Sequence, residues 1–447
     1  MSRRRVWLSL LAAGILLITA RPTFPATPVS APQIQIQIDG QSEPFDQSPL
    51  LLDGQTLLPL RAIFERLGAR VEWNPATQTV TATRDQHRVS LRIGSDEASV
   101  DGKPVTLAVP PLLIQGRTYV PVRFVSEALG GYVRWDEQRQ LISISRTGHT
   151  RSAIREHWLA AQPRFTGEPL ALPTVITPPF QAGALQPALL DDGLRMLNFV
   201  RYLANLPDDL TLDSTYSDLA QHAAVINAYY GVLNHHPAHP EGMTDPFYEQ
   251  ALKGSSQSNL GAGFRSPADA ILRGYMDDSD PSNIDRLGHR RWILSPRMGK
   301  VGFGWVASPA RYGAFDALYV LDGSRAPDPS FTHWAWPSAG YFPISLFGPE
   351  QAWSIGVNPT AVQTSGAVAV TLTRESDSKT WRFSTSGADG YFRVDTAGYG
   401  YTQAIIFRPD GLTQLGAEER YQVTVTGLTD QSGAPFPLQY EVTFFNL

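Results

Sequence analysis

The chain has 447 residues, of which 42% are hydrophobic and 18% charged, and its formal net charge is -5. That length exceeds one ordinary core and implies several domains, while the small negative charge excludes the basic footprint of a nucleic-acid binder. There is no cysteine, so disulfides, thiol nucleophiles and thiolate metal sites are excluded, and the domains must hold by packing alone.

In chain order, Arg3, Arg4 and Arg5 precede an almost unbroken apolar run from Val6 to Ile18, with small residues at Ala20 and Ala26. Residues 1–26 read as a secretory signal peptide, with a retained membrane anchor as the rival reading. Either one places the rest of the chain beyond the cytoplasmic membrane, secreted or at the cell surface. No later stretch is apolar enough to span a bilayer.

Two segments then match without a gap. "LLDGQTLLPLRAIFERLGARVEWNPATQTVTATR" runs from Leu51 to Arg84, and "LIQGRTYVPVRFVSEALGGYVRWDEQRQLISISR" from Leu113 to Arg146. Pro59 aligns with Pro121, Arg61 with Arg123, Glu65 with Glu127, Gly68 with Gly130 and Trp73 with Trp135. One structural unit used twice is the direct reading. Each copy predicts strands around an Asp-Gly turn, a short helix ended by a glycine, and a hairpin with period-two alternation. Arg61 and Arg123 are expected to pair with Glu65 and Glu127 or with strand carbonyls. The pattern resembles the copper amine oxidase N-terminal-like domain over residues 33–147. That resemblance implies a wall-facing or spacer module, not a copper centre, because the repeat holds a single histidine, His87.

Residues 148–189 are proline-rich with little periodicity and read as an extended linker. Helical signals follow. "LRMLNFVRYLANLP" places Leu194, Leu197, Arg201 and Ala204 at helical spacing. "DSTYSDLAQHAAVINAYYGVLNHHP" begins at an Asp or Ser cap, and "SPADAILRGYMDD" offers Ser266 as cap with Asp269 closing a capping box. "SSQS", Ser255 to Ser258, suits a loop. "DRLGHRRWILSP" and the strand "KVGFGWV" complete the region.

This order resembles the CAP superfamily in its cysteine-free bacterial form, over residues 190–342. The carrying pieces are "LNFVRYLANLP", "VLNHHP", "SNLGAG" and "LGHRRWILSPRMGKVGFGW". The resemblance implies an α/β/α CAP-like sandwich with a cleft of two histidines and two acidic residues. Carry-over makes His289 one histidine and His235 the other, with His236 as rival. The glutamate position is occupied by Ser258, beside Asn259, and the second acidic position falls at Asp278 or Asp277. Two imidazoles, His235 and His289, point to a divalent metal such as zinc. Loss of the glutamate weakens both the metal site and a general base, and leaves no catalytic residue to name. Without the resemblance, His289 reads as a structural histidine. Arg290 and Arg291 read as exposed cations, and His222 and His239 as surface or helix-packing residues.

Residues 343–447 return to strands, among them "AVAVTLTR", "WRFSTS", "TQAIIFRP", "RYQVTVTGL" and "LQYEVTFF". They predict an all-β sandwich resembling bacterial Ig-like domains. Trp381, Tyr391 and Phe392 are expected in the core or on a sheet face. The whole reads as a multidomain, non-catalytic protein binding an envelope polymer or a small apolar ligand. It has no nucleic-acid partner and touches a membrane only through an uncleaved signal segment. A metal-assisted hydrolase of peptide or glycan is the alternative.

Overall fold

The computed structural model describes residues 28–447, apart from 32–33, 39–40, 43–44, 53, 85–86, 130–131, 137–139, 146–147, 329–330, 365–366 and 437. The signal-like residues 1–26 and the first Asp-Gly turn lie outside the described residues. Among the described residues no helix is long and apolar enough to cross a membrane.

In the N-terminal module, strands Leu50–Leu52 and Gln55–Pro59 lead into helix α1, Leu60–Arg66, and then into the hairpin Arg70–Asn74/Thr79–Arg84. The same succession returns at the spacing from Pro59 to Pro121: Leu112–Ile114, Arg117–Pro121, helix α2 (Val122–Ala128), Tyr132–Asp136 and Leu141–Ser145. The two strands that end in proline pair antiparallel, Leu58 opposite Val120. That pair joins equivalent positions of the two segments, and the flanking pairs Pro59–Tyr119 and Leu57–Pro121 are related by the same two-fold exchange. Gly68 closes α1 at φ +78°, the left-handed cap a glycine supplies at no steric cost. Asp101 and Gly102, both at positive φ, join Glu97–Val100 to Lys103–Thr106, as an Asp-Gly hairpin requires. The apolar cores of this module draw only on residues within 31–144. Of the expected partners, Glu65 is not one: Arg61 and Glu65 are both exposed on helix α1 and form no ion pair with each other.

The segment read as a linker opens with helix α3, Arg151–Ala161, capped by Thr150, whose hydroxyl accepts the Ala153 amide hydrogen. Its His157, together with His149, stacks against Tyr202 at 3.8 and 3.7 Å between centroids. Tyr202 belongs to helix α4, Pro187–Leu203. Buried Asp192 of α4 accepts the Arg164 and Phe165 amides, which docks the linker on this helix.

Helix α5, Ser214–Tyr230, starts at Asp213, which accepts the Thr215 and Tyr216 amides. Helix α6, Asp245–Gln257, takes up the serine run that the sequence reading placed in a loop; Ser255 is fully buried against α5 through Asn227. Helix α7, Pro267–Ala270, has the expected Ser266 cap, but Asp269 reaches back to the Arg265 amide and not to that of Ser266. Helix α8 is Gly288–Ile293.

These helices surround a four-stranded sheet in the order Thr211–Leu212, Lys300–Ala307, Ala314–Tyr319, Ser258–Ala262. Side chains alternate along the strand Lys300–Ala307. Gly302 and Gly304 face α5 so closely that a Cβ on either would stand 2.2 Å from that helix's backbone. Phe303 points the other way, its ring close to Gly193 of α4. The Gly-x-Gly spacing thus lets a helix lie directly on the strand.

The five C-terminal segments named above all form strands, in two sheets. One has the order Gly340–Pro343, Leu438–Phe445, Arg420–Thr426, Ala369–Arg374, Thr380–Ser384, Gly387–Ala388. The other runs His333–Trp336, Trp353–Val357, Gln403–Pro409, Gly390–Asp395. Trp353 of the second packs on Tyr421 and Phe444 of the first at 5.7 and 5.9 Å between centroids. Trp381 is buried as expected, and Tyr391 and Phe392 are half-buried. The sheets begin at His333, ten residues ahead of the boundary at 343 drawn from the strand pattern. One continuous apolar core holds Leu197, Ile293 and Phe303 together with Trp334, Trp353 and Phe444.

Candidate functional site

The helix ends and one sheet edge converge on a cleft of about 330 Å³. Its walls include His235 and His236 after α5, Gln257, Ser258 and Asn259 at the α6–strand junction, and His289 and Trp292 of α8. Asn283, Arg286 and Tyr399 complete the rim. The structure therefore brings His235, His236, Ser258, Asn259 and His289 to one place.

Asp278 stands behind His289 and does not line the cleft. His289 Nδ1–H donates to Asp278 Oδ1 at 2.8 Å, while Oδ2 accepts the Arg290 amide at 3.2 Å. The Asp278 side chain is fully shielded from solvent and that of His289 is 23% exposed. Backbone strain flanks the pair: Asp278 has φ +50° and Leu287, just before α8, has φ +47°. Non-glycine residues rarely adopt such angles, and they cluster where structure holds a functional group in place. With Nδ1 committed, His289 keeps Nε2 for a ligand.

His235 is fixed the same way, donating from Nδ1 to the Ser255 carbonyl at 2.8 Å. Partial burial of its ring holds its pKa below the usual imidazole range, assisted by the nearby charges of His289, His236 and Arg286. His236 has its backbone amide bound to the Asn234 side chain and stands exposed. Ser258 Oγ is buried without a hydrogen-bond partner. Asn259 Nδ2 donates to the His289 carbonyl at 3.0 Å, so its amide positions α8. His222 and His239 lie elsewhere, bonded to the Asp218 carbonyl and near Asp245.

Arg290 and Arg291 correct the sequence reading: both are fully buried. Arg290 donates to the carbonyls of Met276, Asp277 and Ala352 and to Ser354 Oγ. Burial lowers its pKa to about 10, which leaves it charged at neutral pH. Arg291 pairs with Asp395 and donates to the Thr402 carbonyl. These two cations tie α8 to the C-terminal sheets, and only the fold reveals their acceptors. Arg201 does similar work within the helical layer, donating to Pro207, Ile293 and Ser295 carbonyls.

Sequence reasoning missed Gln257, Asn283, Arg286 and Trp292 on the walls, and Tyr275, Asp316 and Tyr399 besides. Tyr275 and Asp316 lie buried beneath the cleft, the tyrosine donating to the carboxyl and its ring 5.4 Å from that of His289. Burial pushes Asp316 up to about 7, against the Tyr275 hydrogen bond and the His289 charge, which lower it. An aspartate inside the apolar strand "AFDALY" was the available signal. Tyr399 comes from the short turn Tyr399–Tyr401 between the strands Gly390–Asp395 and Gln403–Pro409, and no spacing connects it to "LGHRRW".

Two imidazoles face the cleft, but among the described residues no group of three His, Cys, Asp or Glu side chains could hold an ion. Two neutral ligands without a carboxylate leave a dication without charge compensation. The walls offer imidazole, amide, guanidinium and aromatic groups to a ligand.

Residues 37–144 match the profile of the Copper amine oxidase N-terminal domain, and residues 194–321 that of the Cysteine-rich secretory protein family, CAP. Among curated proteins, a "Protease inhibitor" of Brevibacillus choshinensis is 32% identical over 106 residues, 23% of this chain and 32% of its own length. A "Primary amine oxidase" of Klebsiella aerogenes is 30% identical over 83 residues, 18% of this chain and 11% of its own length. The chain thus spans about a third of the first relative and about a tenth of the second.

Proposed function

We propose that this chain, a copper amine oxidase N-terminal domain followed by a CAP domain, is a secreted or surface-held modular protein whose CAP cleft binds an envelope polymer without catalysis. The helices on both faces of the central sheet support reading residues 190–342 as an α/β/α sandwich. The paired C-terminal sheets support an Ig-like sandwich. The observation that carries the binding reading is the position of the acids. Ser258 stands where a glutamate would face the cleft, and Asp278 is shielded behind His289. General acid–base work needs a group within reach of the substrate proton, with a partner for the return step. Here the only titratable side chains that line the cleft besides Arg286 and Tyr399 are imidazoles, and no carboxylate among the described residues stands opposite them as the partner.

Co-sedimentation of the full chain with insoluble wall material, followed by analysis of the supernatant, tests this. Retention without soluble products is expected, with weaker retention for His289→Ala. Release of fragments would overturn the reading, as would equal retention by residues 28–147 alone. The second reading, hydrolysis, rests on the His289–Asp278 pair, which has the geometry of an oriented base. Zinc that bound wild type, His235→Ala and His289→Ala equally would remove its metal-assisted form.

A further inference from the structure

The cleft has a charge and an aromatic edge that the binding reading does not use. Arg286 is exposed on its rim, and no ion pair to its guanidinium occurs among the described residues. None of the described lining residues carries a carboxylate, whereas three are histidines. Arg286, His289 and His236 stand close enough to His235 to disfavour its protonated form. Such a concave, low-dielectric wall concentrates anions.

The aromatic edge is built by two parts of the fold. Trp292 belongs to α8, and its ring meets those of Tyr399 and Tyr401 edge-on at 6.3 and 6.0 Å. Tyr399 is held there from outside the CAP segment. Gly400 has φ +60° and sits so close to the Arg291 carbonyl that a Cβ would approach it to 2.0 Å. Arg291 itself reaches across to Thr402 and Asp395. The amides of Gln257 and Asn283 lie on the same walls. A purely apolar ligand would strip water from these amides and from Arg286 without replacing their hydrogen bonds.

We propose that the cleft is a composite site, shared by the CAP domain and the C-terminal sheets, for a sugar that bears an oxyanion. Arg286 takes the oxyanion, the amides take hydroxyls, and Tyr399 with Trp292 takes the apolar face of the ring. The inference rests on the cleft-binding reading and narrows its ligand. A carboxylate and a phosphate share the chemistry that Arg286 recognises.

Calorimetric titration of the full chain tests it with four probes: a galacturonic acid trisaccharide, the neutral galactose trisaccharide, glucose 6-phosphate and a diglutamate peptide. At least one anionic sugar is expected to bind about tenfold or more tighter than the neutral trisaccharide, the scale of one charge-assisted hydrogen bond. Whichever anionic sugar binds tighter identifies the oxyanion. Arg286→Ala should reduce its binding to the neutral level; the side chain is exposed, so the variant folds. Tyr399→Leu should weaken both anionic sugars. Equal binding of charged and neutral sugars, tighter binding of diglutamate, binding by none of the probes, or indifference to Arg286→Ala would each overturn the inference. Retention on wall material could survive all four outcomes, so failure here is distinct from failure of the binding reading.

Discussion

At the scale of single residues, the site is governed by what stands behind each group. Asp278 and the Ser255 carbonyl fix one nitrogen of each imidazole, and Asn259 holds the α8 backbone. Below them Asp316 has no second partner: its Oδ2 is buried and unbonded. An unfolded aspartate titrates near pH ~4, while burial raises the folded carboxyl to about 7. Between these values the folded state keeps a proton that the unfolded chain has lost. This group's contribution to stability therefore falls as pH rises from about 4 to about 7, and the loss is complete above that. Asp316→Asn should flatten the urea midpoint across that window; an unchanged slope would assign it to another group. His235 has a depressed pKa, so at pH 7 its ring should be neutral with the proton on Nδ1. Long-range nitrogen–proton spectra read this directly, and a protonated ring at pH 7 would contradict the geometry.

At the scale of elements, the central strand and α5 pack backbone against backbone. Gly302→Ala and Gly304→Ala meet backbone, which cannot rotate away as a side chain can. Each should cost at least the ~1–3 kcal/mol of ordinary overpacking. Gly348→Ala, with open space around its Cβ, should leave the melting temperature unchanged. Wild-type melts for the first two would show that α5 can lift from the strand. These elements were largely legible. "KVGFGWV" alternates as a strand, Asp213 caps α5 and Ser266 caps α7 through local bonds that spacing alone predicts. Helix α6 was not legible, because "KGSSQ" has weak helical preference and its last turn is held by remote partners, Asn227 and His235 at Ser255 and Tyr319 at Gln257. Helix α3 hid in a proline-rich context for a similar reason: its anchor, Ile154, joins a core assembled from distant segments.

At the scale of the whole molecule, one apolar core runs from the helix–sheet unit into the C-terminal sheets. The N-terminal module closes its own cores within residues 31–144. A fragment of residues 28–147 should therefore give a cooperative melt by itself. Residues 148–342 without the C-terminal sheets should not: Arg290 and Arg291 would lose buried acceptors, and Trp334 and Trp336 would lose the strands that cover them. Limited proteolysis reads the difference, and a protease-resistant 148–342 fragment would refute it. The sequence by itself determined the order of modules, the doubled N-terminal unit, most strands and caps, and five of the cleft's residues. Those features depend on periodicity and local hydrogen bonds, which neighbours in sequence supply. Only the tertiary structure decided that Arg290 and Arg291 are buried, that Asp278 stands behind His289, and that Tyr399 completes the rim. A buried cation is possible only where acceptors from remote segments meet it, and an aromatic lip is placed by packing between His289 and Tyr399, 110 positions apart in the chain.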